Sequence, residues 1–139
     1  MHVNSEFFEF EPYENLLFIS SHGSWDGRVA KAFVQASQEM IQRFRGKSWA
    51  VLHDARDWSL GTPEIEPIIS GLMKAKLTGT LTHHVMVTGP SEVKAWQIQN
   101  IFGQLDLPFV HRVFQDLLAA EDWLAGLGYV RDKDNRDPG

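Results

Sequence analysis

Polar side chains that can bind a ligand or transfer protons crowd the end of one apolar segment. The segment is 49–52, and the side chains that follow it are His53, Asp54, Arg56 and Asp57. Carboxylates beside a guanidinium and an imidazole can hold a ligand or act as acid and base. Alternation along a strand, however, points His53 and Asp54 to opposite faces. We therefore favour an arginine–carboxylate pair that fixes a loop, and we retain Asp54, Arg56 and Asp57 as candidate contacts for a partner or ligand.

The next residues supply one candidate for recognition and two for phosphorylation. Trp58 lies in a loop predicted over 55–61, where an exposed ring would anchor a partner or cover an apolar cavity. A ring folded over the edge of the core is the equal alternative. Ser59 and Thr62 are candidate phospho-acceptors, although a loop hydroxyl and a helix N-cap are the favoured interpretations. A phosphate on Thr62 would lie at the positive end of the helix that follows.

Ser91 and Lys94 form a Ser-x-x-Lys pattern, in which a lysine one turn away can take the proton of a serine nucleophile. The Ser-Asp-Asn and Lys-Thr-Gly motifs that complete such a site are absent from the sequence. We therefore interpret Ser91 as the N-cap of a helix and as a candidate contact residue. Because no catalytic set is complete, we predict no catalytic residues and a protein that is not an enzyme.

The sequence predicts neither a metal site nor a cofactor. His83 and His84 are adjacent, so a strand sends them to opposite faces rather than to one ion. Asp132, Asp134 and Asp137 lack the glycine and the final glutamate of a calcium loop. Since the chain has no cysteine, iron–sulfur clusters and cysteine-based zinc sites are excluded.

Length and composition indicate one globular domain. The chain has 139 residues, 43% of them hydrophobic, and a formal net charge of -5. That charge has the wrong sign for general binding to a phosphate backbone, so we expect no nucleic-acid partner. Acidic residues interrupt the N-terminal segment, and the longest apolar runs are only a few residues. We therefore expect no signal peptide, no transmembrane segment and a cytoplasmic location.

Hydrophobic periodicity predicts an α/β domain over residues 1–130 with the element order ββαβαβαβα, and a charged flexible tail at 131–139. Every strand after the opening hairpin is followed by a helix, which is typical of parallel strands joined by right-handed crossovers. The expected sheet is five-stranded, mixed and mostly parallel, with covering helices. The predicted strands are 6–11, 16–20, 48–52, 83–88 and 109–114. The predicted helices follow N-caps at Ser24 or Asp26, Thr62, Ser91 and Asp116. In the same order, these helices end at 44, 78, 104 and 126.

Two parts of the chain carry a family resemblance. The segment at 49–56 is an apolar strand that ends at Asp54, and the segments at 112–116 and 120–124 form a strand and a short helix with Trp123 near its end. These segments resemble the centre and the C-terminal end of the STAS and SpoIIAA-like family, whose shape is related to that of CRAL-TRIO domains. The resemblance implies the single-domain fold of that family and a regulatory role without catalysis.

The resemblance also implies a site of regulation. In the anti-sigma-factor antagonists of the family, a partner kinase phosphorylates a serine that directly follows an aspartate and precedes a glycine. Here Trp58 separates Asp57 from Ser59, and Ser59 or Thr62 occupies the same region.

Two functions follow as expectations. The first is a regulatory or protein-interaction domain with residues 54–62 as its contact surface, switched by phosphorylation, with a protein partner and a candidate homodimer formed through an edge strand. The second is a CRAL-TRIO-like carrier or sensor of a small apolar ligand or lipid. A carrier needs a pocket of several hundred Å³.

Overall fold

One mixed β-sheet organises the molecule. The computed structural model describes residues 3–59, 61–74, 79–103 and 106–131, and these residues form six strands in sequential order. The first three strands pair antiparallel, and the third to the sixth pair parallel. The strands are β1 (Val3–Asn4), β2 (Phe8–Pro12), β3 (Leu16–Gly23), β4 (Trp49–Trp58), β5 (Leu81–Val87) and β6 (Val110–Phe114).

Helices cover both faces of this sheet, but unequally. Helices α1, α2 and α3 follow β3, β4 and β5, and their buried residues share one core with one side of the sheet. Sequential parallel strands joined by right-handed crossovers place all their connecting helices on one side. Helix α4 follows β6 and packs on the opposite side. The helices are α1 (Gly27–Ile41), α2 (Ile65–Lys74), α3 (Glu92–Phe102) and α4 (Leu117–Gly126).

We call these sides the three-helix face and the one-helix face. The core of the three-helix face includes Phe10, Phe33 and Trp49, all of them buried. The core of the one-helix face includes Leu52 and Leu124, also buried. Because the central strands β3, β4 and β5 are covered on both sides, their side chains alternate between two apolar cores.

The sequence prediction agrees with the structure in the α/β class, the mixed sheet and the order of the longer elements. The sequence did not predict the two-residue strand β1. Three predicted caps are confirmed. Asp26 accepts from the backbone N–H groups of Arg28 and Val29, and Ser91 and Asp116 each accept from a backbone N–H three residues on.

Several predicted boundaries are wrong. Strand β3 continues to Gly23 rather than ending at 20, and α1 ends at Ile41 with a 3₁₀ turn over 42–44 rather than at 44. Strand β4 does not stop at 52 but continues to Trp58, because its pairing with β3 persists to the Gly23–Trp58 pair. Residues 55–58 of the predicted loop are therefore strand. Helix α2 begins at Ile65 rather than directly after a cap at Thr62, which places Pro67 in the first turn, where its missing N–H leaves no hydrogen bond broken.

The C-terminal part of the fold reaches Arg131. Its guanidinium lies 2.8 Å from Glu121 Oε1 and 3.7 Å from the centroid of the Phe18 ring. The rest of the predicted tail, residues 132–139, lies outside the described residues, as do the predicted helix ends at 78 and 104. Within the described ranges, no helix has the length and apolar character needed to cross a bilayer.

Candidate functional site

A small cavity lies inside the three-helix face, between the sheet and helices α1, α2 and α3. Its volume is about 50 Å³. Aromatic and aliphatic side chains form nearly all of its wall, and none of the described lining residues is Asp, Glu, Lys or Arg. The residues that bear on its chemistry are Trp25, Phe33, Ser37, His53, Trp58 and His84.

A β-bulge directs Trp58 into this cavity. Along β3 and β4 the pair Ser20–Asp54 is followed by the pair His22–Asp57, so β4 carries one residue more than β3. Regular alternation would place Trp58 on the one-helix face, and the extra residue reverses that alternation. Trp58 is 2% exposed, and its ring centroid lies 5.0 Å from that of Trp25. The expectation of an exposed Trp58 anchor is therefore wrong.

Three residues that line the cavity each carry a buried polar atom with no hydrogen-bond partner among the described residues. The atoms are Ser37 Oγ, Trp58 Nε1 and His84 Nδ1. Buried polar atoms in folded proteins are nearly always paired, and each unpaired one costs about 1–3 kcal/mol. A fourth, His111 Nε2, belongs to the imidazole that stacks on His84. The core of the three-helix face therefore holds polar atoms that no described neighbour pairs with.

The histidines of this face are neutral at neutral pH. Burial lowers the pKa of His53 to about 4, against a smaller opposing effect of Asp54. Burial also lowers the pKa of His111 to about 4. It moves the pKa of His84 well below its ordinary value, with smaller contributions from His111 and His53. The imidazoles therefore act here as uncharged hydrogen-bonding rings rather than as cations.

Ser21 and His53 form a hydroxyl–imidazole pair beside the cavity. Ser21 Oγ lies 2.5 Å from His53 Nε2, and both side chains are buried. Such a pair supplies a nucleophile and a base, but a catalytic histidine is normally oriented by a third group. The structure gives His53 no carboxylate partner within the described residues, since the neighbouring Asp54 points to the one-helix face and binds Arg56. The pair thus connects β3 to β4.

Two predicted contact residues at the end of β4, Asp54 and Arg56, bind each other, whereas Asp57 is exposed and lies 3.9 Å from His22 Nδ1. Asp54 accepts from Arg56 Nε and Nη2, each at 2.8 Å. Burial raises the pKa of Asp54, but the hydrogen bonds from Arg56 outweigh it and leave that pKa below its ordinary value. Lys94 Nζ donates to the carbonyl oxygens of Ala55 and Arg56 at 2.9 and 2.7 Å. The Ser-x-x-Lys lysine is therefore bound to β4, and Ser91 caps α3.

The candidate phospho-acceptors Ser59 and Thr62 lie between β4 and α2. Ser59 and Thr62 are exposed, and the backbone N–H of Thr62 donates to Trp25 O at 2.9 Å. Gly61 has a φ of 89°, and a side chain there would collide with the Trp25 backbone. Thr62 Oγ1 donates to the Glu64 carboxylate at 3.3 Å. A phosphate on Thr62 would therefore meet an acidic neighbour, contrary to the predicted stabilisation at a helix end.

Sequence reasoning missed the polar groups of the cavity. Ser37 lies four residues after Phe33 and three before Met40, on the buried stripe of α1. A serine within an apolar stripe was the available signal. His53 and His84 were separated from their adjacent partners as predicted: Asp54 and His83 lie on the one-helix face. The described residues contain no group of three or more His, Asp or Glu suited to a metal ion.

The described residues thus define an α/β domain with a mixed sheet and a small, largely apolar cavity. No protein-family model matches the chain, and no curated protein matches it in sequence.

Proposed function

We propose that this protein is a non-enzymatic ligand-binding domain, a sensor or carrier that holds a compact, uncharged molecule in the cavity of the three-helix face. The observation that carries this proposal is the cavity itself, about 50 Å³ lined almost entirely by aromatic and aliphatic side chains, with the neutral rings of His53 and His84 in its wall. The apolar atoms of a ligand there gain free energy from leaving water.

The size of the cavity limits the ligand. About 50 Å³ provides room for roughly three or four water molecules. Sites for drug-sized ligands are several times larger, at about 300–1,000 Å³. The cavity thus favours a ligand of a few non-hydrogen atoms over the lipid that a CRAL-TRIO-like carrier would hold.

Binding of xenon tests this proposal, because xenon enters small apolar cavities without needing a hydrogen bond. We expect saturable binding in a ¹²⁹Xe NMR titration of the native protein. Ser37→Leu fills the cavity and should abolish that binding, with Ser37→Val as a smaller substitute if the leucine disturbs folding. Gln38→Leu, at an exposed neighbouring position of α1, is the matched control and should leave binding unchanged. A natively folded protein that binds no xenon would overturn the proposal.

A protein-interaction domain of the STAS and SpoIIAA-like kind is the second candidate. Trp96 and Val93 lie one turn apart on α3 and are 67% and 69% exposed. Trp96 also borders a surface groove with Gly61, Thr62 and Pro63, within the region predicted as the contact surface. An exposed tryptophan is a typical anchor of a protein interface. In this candidate Trp96 takes the role predicted for Trp58, and phosphorylation of Ser59 or Thr62 remains a prediction.

Substitution of the exposed tryptophan tests this second candidate. Trp96→Ser should abolish recovery of a specific partner with the native protein, whereas Leu118→Ser, at an equally exposed position of α4, should preserve it. Equal recovery with both variants would count against the interface.

A further inference from the structure

A surface groove lies on the three-helix face, between the start of α2 and the middle of α3. Its volume is about 260 Å³, and its described wall contains the exposed indole of Trp96 and the carboxylate of Glu66 but no lysine or arginine. We propose, resting on the protein-interaction function given above as the second candidate, that this groove binds a lysine or arginine side chain of a protein partner. Sites for whole small molecules begin at about 300 Å³, so the groove suits a single long side chain.

Trp96 offers an open aromatic ring to a cation. It is 67% exposed, and no described cation lies over its ring. Arg112 and Arg131, which do lie over aromatic rings, contact rings on the one-helix face such as Phe114 and Phe18. Tryptophan attracts a cation more strongly than the other aromatic side chains do. The exposed indole can therefore bind an ammonium or guanidinium group from a partner.

Glu66 provides the opposite charge. It is exposed in the first turn of α2, and its carboxylate has no hydrogen bond or ion pair among the described residues. The nearby carboxylate of Glu64, by contrast, accepts from the backbone N–H of Gly27 at 2.7 Å and from Thr62 Oγ1 at 3.3 Å. Of these two acidic side chains, Glu66 is therefore the one that can pair with a cation from outside.

The charges around the groove also favour a cation. Glu92 is exposed and lies one turn before Trp96 on α3. Lys94, the lysine of α3, is directed to β4, where its Nζ donates to the carbonyl oxygens of Ala55 and Arg56. The chain as a whole has a formal net charge of -5. A basic partner is therefore attracted to this surface, and an acidic one is repelled.

The N-terminal end of α2, which borders the groove, does not turn it into an anion site. A helix N-terminus favours an anion through its partial positive charge and its free N–H groups. Here the N–H groups of Ile65 and Glu66 donate to the carbonyl oxygens of Thr62 and Pro63 at 3.2 and 3.3 Å. Pro67 has no N–H. Few donors therefore remain for an anion, whereas the carboxylate of Glu66 faces a cation without competition.

Two blocked pentapeptides test the proposal. One has lysine at its centre and alanine elsewhere, and the other replaces the lysine with norleucine, which keeps the methylene chain and lacks the charge. The measured quantity is the ratio of their dissociation constants, from backbone amide shifts of the groove residues in ¹H–¹⁵N NMR titrations at low ionic strength. We expect the native protein to prefer the lysine peptide at least about fivefold.

Three variants locate the contact. Trp96→Leu removes the ring and Glu66→Gln removes the charge, and in each the preference for the lysine peptide should fall to about twofold or less. Asp122→Asn removes the same charge at an exposed position of α4, on the other side of the sheet, and should leave the preference unchanged. All three positions are exposed, so the fold should tolerate these substitutions.

The outcomes separate this inference from the function on which it rests. Equal affinity for the two peptides, no binding of either, or a preference that persists in Trp96→Leu and Glu66→Gln would overturn the cation site. Binding of n-butylammonium as tight as that of the lysine peptide would assign the groove to a free amine and overturn the protein partner as its occupant. The interaction function itself fails on a different result, equal recovery of a partner by Trp96→Ser and Leu118→Ser.

Discussion

The two faces of the sheet treat their polar groups differently. On the one-helix face, Thr82 Oγ1 donates to Trp49 O at 3.1 Å and lies 2.6 Å from Tyr129 Oη and 2.9 Å from His83 Nδ1. On the three-helix face, Ser37, Trp58, His84 and His111 each keep one buried polar atom unpaired among the described residues. On the one-helix face, these polar groups are paired with other atoms of the protein. The three-helix face keeps its four atoms unpaired among the described residues, and the cavity of the proposed site lies on that face.

The cations on the one-helix face are also paired. Arg131 binds Glu121 and lies over the Phe18 ring, and Arg112 lies 4.6 Å from the centroid of the Phe114 ring. The charged residues at the end of β4 follow the same rule, since Asp54 and Arg56 satisfy each other. Conspicuous charged residues thus stabilise the fold, whereas the candidate site is built from aromatic rings and neutral polar atoms.

The largest expected difference between the faces is in their response to acid. An unfolded histidine has a pKa of about 6.5, so between pH 6.5 and about 4 the unfolded chain binds more protons than the folded one. The stability of the fold must therefore fall as the pH falls through this window, by up to about 1.4 kcal/mol per pH unit for each of the three buried histidines. Urea unfolding midpoints at pH 7.5, 6.5, 5.5 and 4.5 measure the effect.

Two variants make that prediction specific. His111→Phe should reduce the slope of stability against pH by about one third, because one of three titrating rings is removed. Met86→Leu, a buried and non-titrating change on the same face, should leave the slope unchanged. An unfolding midpoint that stays constant from pH 7.5 to pH 5 would contradict the assignment of buried neutral histidines.

Removal of one hydroxyl from each face should change stability in opposite directions. Thr82→Val breaks the hydrogen bonds to Trp49 O and Tyr129 Oη, and we expect it to lower the free energy of unfolding by about 1–3 kcal/mol. Ser37→Ala removes an unpaired hydroxyl and introduces a better helix former, and we expect a gain of about 0.5–1.5 kcal/mol. Chemical denaturation of both variants measures these two changes in the free energy of unfolding. Destabilisation by Ser37→Ala comparable to that by Thr82→Val would remove the contrast between the faces.

The smallest effect should come from the ion pair on the one-helix face. Arg131 and Glu121 have side chains 28% and 27% exposed, so solvent screens part of their attraction. Arg131→Gln should cost about 0.5–1 kcal/mol, including the contact with the Phe18 ring. Glu121→Gln keeps that ring contact and should cost less. A salt titration measures the charge component, and a larger loss for Glu121→Gln than for Arg131→Gln would contradict this ranking.

The fold followed from local signals, whereas the site depended on geometry that a linear pattern does not show. Asp26, Ser91 and Asp116 were recognisable as caps because a short polar side chain precedes each apolar stripe. The position of Trp58 was not predictable in the same way, since one extra residue in β4 opposite β3 reverses the direction of every later side chain. The charged residues around it also suggested a loop, because strands rarely end in so polar a segment.

Ser37 and His84 show a second limit of prediction from sequence, which is the pairing of buried polar atoms. Both were visible as polar residues at inward positions of a helix and a strand, and most such residues find a partner in the folded protein. Whether a partner exists depends on which atoms the neighbouring elements supply, and these neighbours are distant in sequence. The cavity lies where α1, α2 and the strands meet, and the described residues of these elements supply no partner for the two polar atoms.

A crystal structure of the native protein under xenon pressure tests the central claim most directly. We predict xenon density inside the three-helix face, between Phe33 and Trp58, with the Thr82–Tyr129 pair on the other face unchanged. Xenon density confined to the protein surface would contradict the account.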